Sequence, residues 1–349
     1  MFSKLVGNEH VKQTLGRLIA KGRVPNSLLF AGDEGVGKLE FAIELARAFV
    51  CTDPTDGGEG CGVCPACRRV DSFVIPPEPT DKNKDEFKKV FFGGHSDVGK
   101  VVAYKRLILV DAIRDLERHA NFLPNEAKAR FFIIDAADKM NDQAANALLK
   151  TLEEPPPTSH IFLITSRPDS LLPTIRSRCQ TLRFAPVEAA EIEKYLVDEK
   201  AYTHDEARLA ARLSRGSIGR AVSINVEQFR DRREKMLKVV GTAIEGGEIA
   251  VLLRIAEEMN DAKNKELFEE NLDVLQSLIH DVWTISVSGE TQRIVNTDLE
   301  VELSRLSQLA GQSNLPGWLR SIDQIRDDLI VNINRKVAAD ALFVSMAGG

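Results

Sequence analysis

A chain of 349 residues with 43% hydrophobic and 28% charged residues has the composition of a soluble protein of two or three domains, large enough to bury a real core. Its net charge of −6 excludes a generally basic protein that coats nucleic acid and leaves room only for local contact. No run reaches the roughly 18 apolar residues of a membrane span, so the expectation is a cytoplasmic protein with no membrane partner.

The first elements read as a helix over residues 9–20, a buried strand at Ser27-Leu28-Leu29-Phe30, and a helix through Phe41, Leu45 and Phe49. Between strand and helix lies Gly32-Asp33-Glu34-Gly35-Val36-Gly37-Lys38, a match to G-x-x-x-x-G-K. In that position loop amides can cradle phosphates at the helix start, so Gly32, Gly35, Gly37 and Lys38 are candidates for a nucleotide site. Leu39, however, stands where a Ser or Thr hydroxyl would hold Mg²⁺. Asp33 and Glu34 weaken phosphate binding further unless they turn outward. A second match, Gly94-His95-Ser96-Asp97-Val98-Gly99-Lys100, runs into Val101, Val102 and a β-like stretch at 107–110 and is dismissed.

Four of the five cysteines cluster as Cys51, x₉, Cys61, x₂, Cys64, x₂, Cys67. With no secretion signal, that clustering favours a metal over disulfides. Four thiolates close the tetrahedral sphere of Zn²⁺ and leave no position for water, so the site is read as structural; an Fe–S cluster and reduced spare thiols are the alternatives. Residues 68–96 read as a polar surface excursion without chemistry.

A second strand over 130–135 ends in Asp135-Ala136-Ala137-Asp138. Asp135 is positioned to meet Mg²⁺ through water, Ala136 has no group to act as a base, and Asp138 reads as a helix-capping carboxylate. A helix over 141–154 is stopped by Pro155-Pro156-Pro157, and a third strand covers 160–165. Strands alternating with helices imply an α/β domain with a parallel sheet. Beyond it, Arg178 is either a solvated surface arginine or an arginine finger that neutralises charge on a neighbour's γ-phosphate. After Pro186 the pattern is all-α: helices at 189–196 and 204–213, a Gly216-Ser217-Ile218-Gly219 turn, then long amphipathic helices. Leu272, Leu275, Leu278 and Ile279 mark a face suited to core packing or to subunit packing.

With these motifs, with Val6-Gly7-Asn8-Glu9, with Asn146-Ala147-Leu148-Leu149-Lys150-Thr151-Leu152-Glu153-Glu154-Pro155-Pro156, and with Leu172-Pro173-Thr174-Ile175-Arg176-Ser177-Arg178-Cys179, the chain resembles the AAA+ clamp-loader subunits of bacterial DNA polymerase III. The resemblance implies an AAA+ P-loop domain over 1–186 carrying the four-cysteine module at 51–67, a helical lid over 187–227, and an α-helical collar over 228–349 that joins five subunits in an open ring. It implies gamma/tau and delta subunits, the sliding clamp and primer-template DNA as partners. Motor subunits of such rings keep the hydroxyl after the lysine and an acidic pair, whereas this chain keeps neither. It also has Gly219 where their lid arginine stands, with Arg220 one position late. A subunit with weak or absent ATP or ADP binding and no ATPase of its own is therefore expected, with Arg178 acting in trans. The rivals are an active ATPase subunit and a zinc-containing nucleic-acid binder on a degenerate AAA+ scaffold.

Overall fold

The structure, a computed structural model, describes residues 2–259, 265–291, 293–330 and 333–347. It divides into two compact units, Met1–Ser223 and Ile224–Gly349.

The first unit is built on six strands: β1 (Ser27–Ala31), β2 (Phe91–Phe92), β3 (Val98–Val101), β4 (Arg130–Ile134), β5 (Ser159–Thr165) and β6 (Gln180–Arg183). Their order in the sheet is β2-β3-β4-β5-β1-β6, parallel throughout except for the antiparallel β2–β3 pair. The helices of this unit are α1 (Glu9–Ala20), α2 (Lys38–Val50), α3 (Pro65–Arg69), α4 (Val110–Ala120), α5 (Asp142–Glu153), α6 (Pro173–Arg178), α7 (Ala189–Lys200), α8 (His204–Leu213) and α9 (Ile218–Ser223).

Successive strand residues point to opposite faces, so each apolar strand feeds two cores. Leu28, Phe30, Phe131, Ile133, Phe162 and Ile164 face the cluster completed by Val11 and Leu15 of α1 and Phe41 and Leu45 of α2. Their neighbours Leu29, Phe132, Ile134, Ile161 and Leu163 face Ile113 and Leu116 of α4, Leu148 of α5 and Ile175 of α6. Helices on both faces explain why β1, β4 and β5 are apolar runs with every central residue buried.

Two expectations need correction. The 68–96 segment is more than a surface excursion: Phe87, only 2% exposed, and strand β2 attach it to the sheet edge, and Val90 N–H donates to Asp115 of α4 at 2.9 Å. The 107–110 stretch is not a strand: Leu107 makes a single bridge to Tyr104, and Val110 opens α4. The second G-x-x-x-x-G-K match does end in strand β3, paired with β4, and forms no loop between strand and helix.

The second unit is all-α: α10 (Val226–Ile244), α11 (Ile249–Met259), α12 (Lys265–Ser288), α13 (Glu300–Leu309), α14 (Leu315–Ile330) and α15 (Arg335–Ala347). Leu272, Leu275, Leu278 and Ile279 are fully buried, so that face of α12 packs within the unit. The turn after α12 is pinned by buried Asp281, which accepts from the amides of Val295 and Asn296, while Arg233 of α10 pairs with Asp298. Among the described residues no helix is long and apolar enough to cross a membrane.

Candidate functional site

The phosphate loop joins β1 to α2, as its position in the sequence requires. Gly35 (φ +76°) and Gly37 (φ +96°) occupy left-handed conformations that side chains resist, so the glycines set the shape of the loop. Asp33 and Glu34 are exposed, and both act on the Lys38 ammonium. Lys38 is 6% exposed, and its ammonium donates to the carbonyls of Gly32 at 2.6 Å and Asp33 at 2.5 Å. Burial lowers its pKa from the ordinary lysine value, against the pull of Asp33, Glu34, Asp135 and Asp138. Leu39 packs against the apolar cluster that holds Phe41 and Phe184. The place of the metal-binding hydroxyl is therefore taken by a partly buried apolar side chain that packs against the core.

Asp135 follows β4, but its carboxylate is engaged by Lys100 Nζ at 2.9 Å. Lys100 is the lysine of the dismissed second motif, buried in β3 beside β4, and sequence reasoning gave it no role. Only the pairing of the two strands could have shown that these charges meet. Ala136 sits at φ +54°, with no functional group where an ATPase has its second acid.

Asp138 is not a helix cap. The cap of α5 is Asn141, whose side chain accepts from Ala144 N–H at 2.9 Å. Asp138 instead accepts from Thr165 Oγ1 at 2.9 Å and from Arg167 Nη2 at 2.9 Å. Burial alone would raise its pKa, but the Arg167 and Thr165 hydrogen bonds outweigh it and hold the carboxyl below the ordinary aspartate value.

The four cysteines come together as their spacing requires. Their Sγ atoms all lie within 4.8 Å of one another, with Cys51 to Cys64 at 3.9 Å and Cys61 to Cys67 at 4.0 Å. Tetrahedral Zn–S bonds of about 2.3 Å imply sulfur separations of about 3.8 Å, so these residues are positioned to hold such an ion. Backbone amides point at the sulfurs: Cys61 N–H to Cys51, Cys64 N–H to Cys61, and Cys67 N–H to Cys64, at 3.3 to 3.4 Å. Burial pushes the Cys64 thiol up, yet donors led by the Cys67 amide bring it down to about 5. Burial and the neighbouring sulfurs push Cys67 up.

Arg178 ends α6. Its Nη2 pairs with Glu153 Oε1 at 2.7 Å and its Nη1 donates to the Thr174 carbonyl at 3.1 Å, leaving the side chain 35% exposed. The start of α9 reaches the loop: Gly219 N–H donates to the Gly35 carbonyl at 2.9 Å, and Arg220 is exposed.

The chain is similar to known proteins over much of its length. A DNA polymerase III subunit delta' of Bacillus subtilis is 28% identical over 97% of this chain and 96% of its own length. The Escherichia coli subunit delta' is also 28% identical, over 90% of this chain and 87% of its own. A Mycobacterium bovis subunit gamma/tau is 32% identical over 58% of this chain and 33% of its own. Among solved structures, a DNA polymerase III gamma subunit-related protein of Thermotoga maritima aligns with 96% of this chain and 98% of its own, at 21% identity and a TM-score of 0.43. The family model described as DNA polymerase III, delta subunit, matches residues 7–188, more than half of the chain and the whole stretch from the phosphate loop through Arg178. By that match the chain belongs to the DNA polymerase III delta subunit family.

Proposed function

We propose that this chain is a delta-prime-like clamp-loader subunit that hydrolyses no ATP itself. It works in DNA replication beside gamma/tau and delta subunits to place a sliding clamp on primer-template DNA, and it supplies Arg178 to the ATP site of a neighbouring subunit. Residues 187–227 serve as the lid and 228–349 as the collar of the ring.

The observation that carries this reading is the fate of the metal-binding machinery. Leu39 is packed against the apolar cluster, Asp135 is paired with Lys100, and Ala136 offers no base. With neither an oxygen ligand from the helix start nor a free acid, this loop cannot organise Mg²⁺ and an attacking water, so nucleotide binding is weak or absent. Arg178 stands on a surface α6, where a guanidinium can meet phosphate from another subunit.

The four cysteines fit Zn²⁺, which when bound supplies only a structural cross-link, because four thiolates complete its coordination. The module caps the end of α2 at Cys51 and opens α3 at Cys64, so holding the ion fixes the chain that leaves the phosphate-loop helix.

The test is reconstitution with gamma/tau and delta subunits, followed by DNA-stimulated ATP turnover. Arg178→Ala should lower turnover at least about tenfold while the ring still assembles, because an arginine finger supplies transition-state charge and not assembly energy. Unchanged turnover, or metal-dependent turnover by this chain alone, would refute the reading.

A further inference from the structure

We propose that Glu153 is a positioning residue for Arg178: its carboxylate holds the guanidinium at one place and one tilt on the surface of α6, so that the finger is set before a neighbouring subunit's phosphate meets it. This deepens the reading of Arg178 as an arginine finger and rests on it.

An unrestrained arginine at a helix end samples many rotamers and must surrender that freedom each time it acts. Arg178 is restrained at two nitrogens. Its Nη1 donates to the Thr174 carbonyl one turn back at 3.1 Å, and its Nη2 stands 2.7 Å from Glu153 Oε1. Contacts at two different nitrogens fix both the place and the tilt of a planar group. The other N–H groups of Arg178 have no partner among the described residues, and these are the ones that can meet phosphate oxygens.

The carboxylate itself projects from a rigid support. Leu152 and Cys179, the chain neighbours of Glu153 and Arg178, are both buried in the apolar cluster that holds Leu148, Leu171 and Ile175. Each charged residue therefore stands beside a buried anchor, and the core beneath sets the separation of the two helix ends. The end of α5 is also tied: Glu154 N–H donates to the Lys150 carbonyl at 3.1 Å, and the Asn26 side chain, just before β1, donates to the Pro156 carbonyl at 3.3 Å. Nearby cations have other carboxylates, since Arg176 pairs with Asp169 at 2.7 Å and Lys150 lies 3.9 Å from Glu117. Glu153 is left to Arg178.

A carboxylate beside a guanidinium acts in two opposite directions. It fixes the orientation, which speeds the reaction, and it withdraws part of the positive charge that a phosphate feels, which slows it. Solvent decides between them. Glu153 is half exposed, so its charge is screened, whereas a misplacement of about 1 Å in a catalytic group can cost about a hundredfold. Orientation therefore outweighs charge cancellation, and losing Glu153 slows the neighbour's ATP site.

Steady-state kinetics of DNA-stimulated ATP turnover, in the ring reconstituted with gamma/tau and delta subunits, test this role. Glu153→Ala should lower kcat about five- to tenfold and leave KM for ATP unchanged, because the finger acts in the transition state. Glu153→Gln keeps an oxygen of the same reach and should lose no more than about twofold. Arg178→Ala combined with Glu153→Ala should be no slower than Arg178→Ala alone, since a support has no effect once the finger is gone. If Glu153→Ala rings assemble poorly, Glu153→Asp takes its place: the charge stays, the reach shortens by one methylene, and kcat should still fall about threefold. The positioning role is overturned if the Ala variant, or Asp in its place, turns over ATP at or above the wild-type rate, if Gln is as slow as Ala, or if the double variant is slower than Arg178→Ala. A slow Arg178→Ala beside a normal Glu153→Ala removes the positioning role alone, whereas a normal Arg178→Ala removes the finger and its support together.

Discussion

Arg178 and Glu153 stand at the last residues of α6 and α5 and face each other across 2.7 Å, so two helix ends meet through one ion pair at the surface. The carboxylate is half exposed, and a pair in that setting contributes at most about 1 kcal/mol. Glu153→Gln should therefore shift the urea midpoint of the isolated chain by an amount equivalent to less than about 1 kcal/mol. A larger loss would show that Arg178 is a structural residue of the first unit, which would count against its action on a neighbour.

Asp138 is a different matter, because its side chain is 4% exposed and takes hydrogen bonds from both Thr165 and Arg167. Replacing it with Asn should cost about 1–3 kcal/mol at pH 7, the usual penalty when a buried acceptor of a charge-assisted bond is lost. Its pKa is depressed in the folded state, so the stabilisation is present above the ordinary aspartate value and fades as pH falls through the folded one. Urea titrations at pH 7 and near pH 3 should show the gap between wild type and variant narrowing at the lower pH. A gap of constant size would mean that the carboxylate is not the group responsible.

Lys100 and Asp135 form a pair in which each partner makes the other tolerable. Lys100→Met leaves the Asp135 carboxylate beside a strand end with no counter-charge, and Asp135→Asn leaves the ammonium of a largely buried lysine unpaired. Each single change should destabilise by about 1–3 kcal/mol, and the two together by less than their sum. A double-mutant cycle that closes to zero would show that the two charges do not interact.

Removing the metal from the cysteine cluster should be felt by the whole first unit. Protein purified without chelator should carry one zinc per chain, and Cys64→Ser should carry almost none. A coordination worth a few kcal/mol shifts the melting temperature of a unit of this size by about 2–4 °C per kcal/mol, so chelation should lower it by about 5 °C or more. Protons compete with the ion for thiolates, so retention should fail as pH drops. Melting curves indifferent to chelator would dismiss the cluster as a structural metal site.

Much of this molecule is legible from local pattern. Strands β1, β4 and β5 lie within a residue of where their apolar runs place them, because both faces of each are buried and nothing polar interrupts them. The cysteine cluster is legible for a similar reason: its ligands lie close in sequence. What escaped detection depends on distant partners. Strand β3 reads Val98-Gly99-Lys100-Val101, and its buried lysine makes sense only with Asp135 in place. Strand β2 has two residues and β6 a single buried one, too little for a period of two to register. By sequence Asp138 reads as a cap because it lies near a helix start, whereas Asn141 caps α5 and Asp138 bonds to residues more than 25 positions away. The hydrogen bond from Gly219 N–H to the Gly35 carbonyl is hidden for the same reason, since no local rule brings residues this far apart together.

The order of the sheet also bears on how this chain avoids pairing with stray strands. Its two rims are β2, two residues long, and β6, four residues long with polar side chains at three of them. A rim so short gives a stray chain only a handful of amides and carbonyls to zip against, and a charged residue such as Arg183 makes the attempt less favourable still. The long apolar strands that would be hazardous if bared are all interior to the sheet. Resistance to amyloid-like stacking is thus written into the strand sequence from rim to rim.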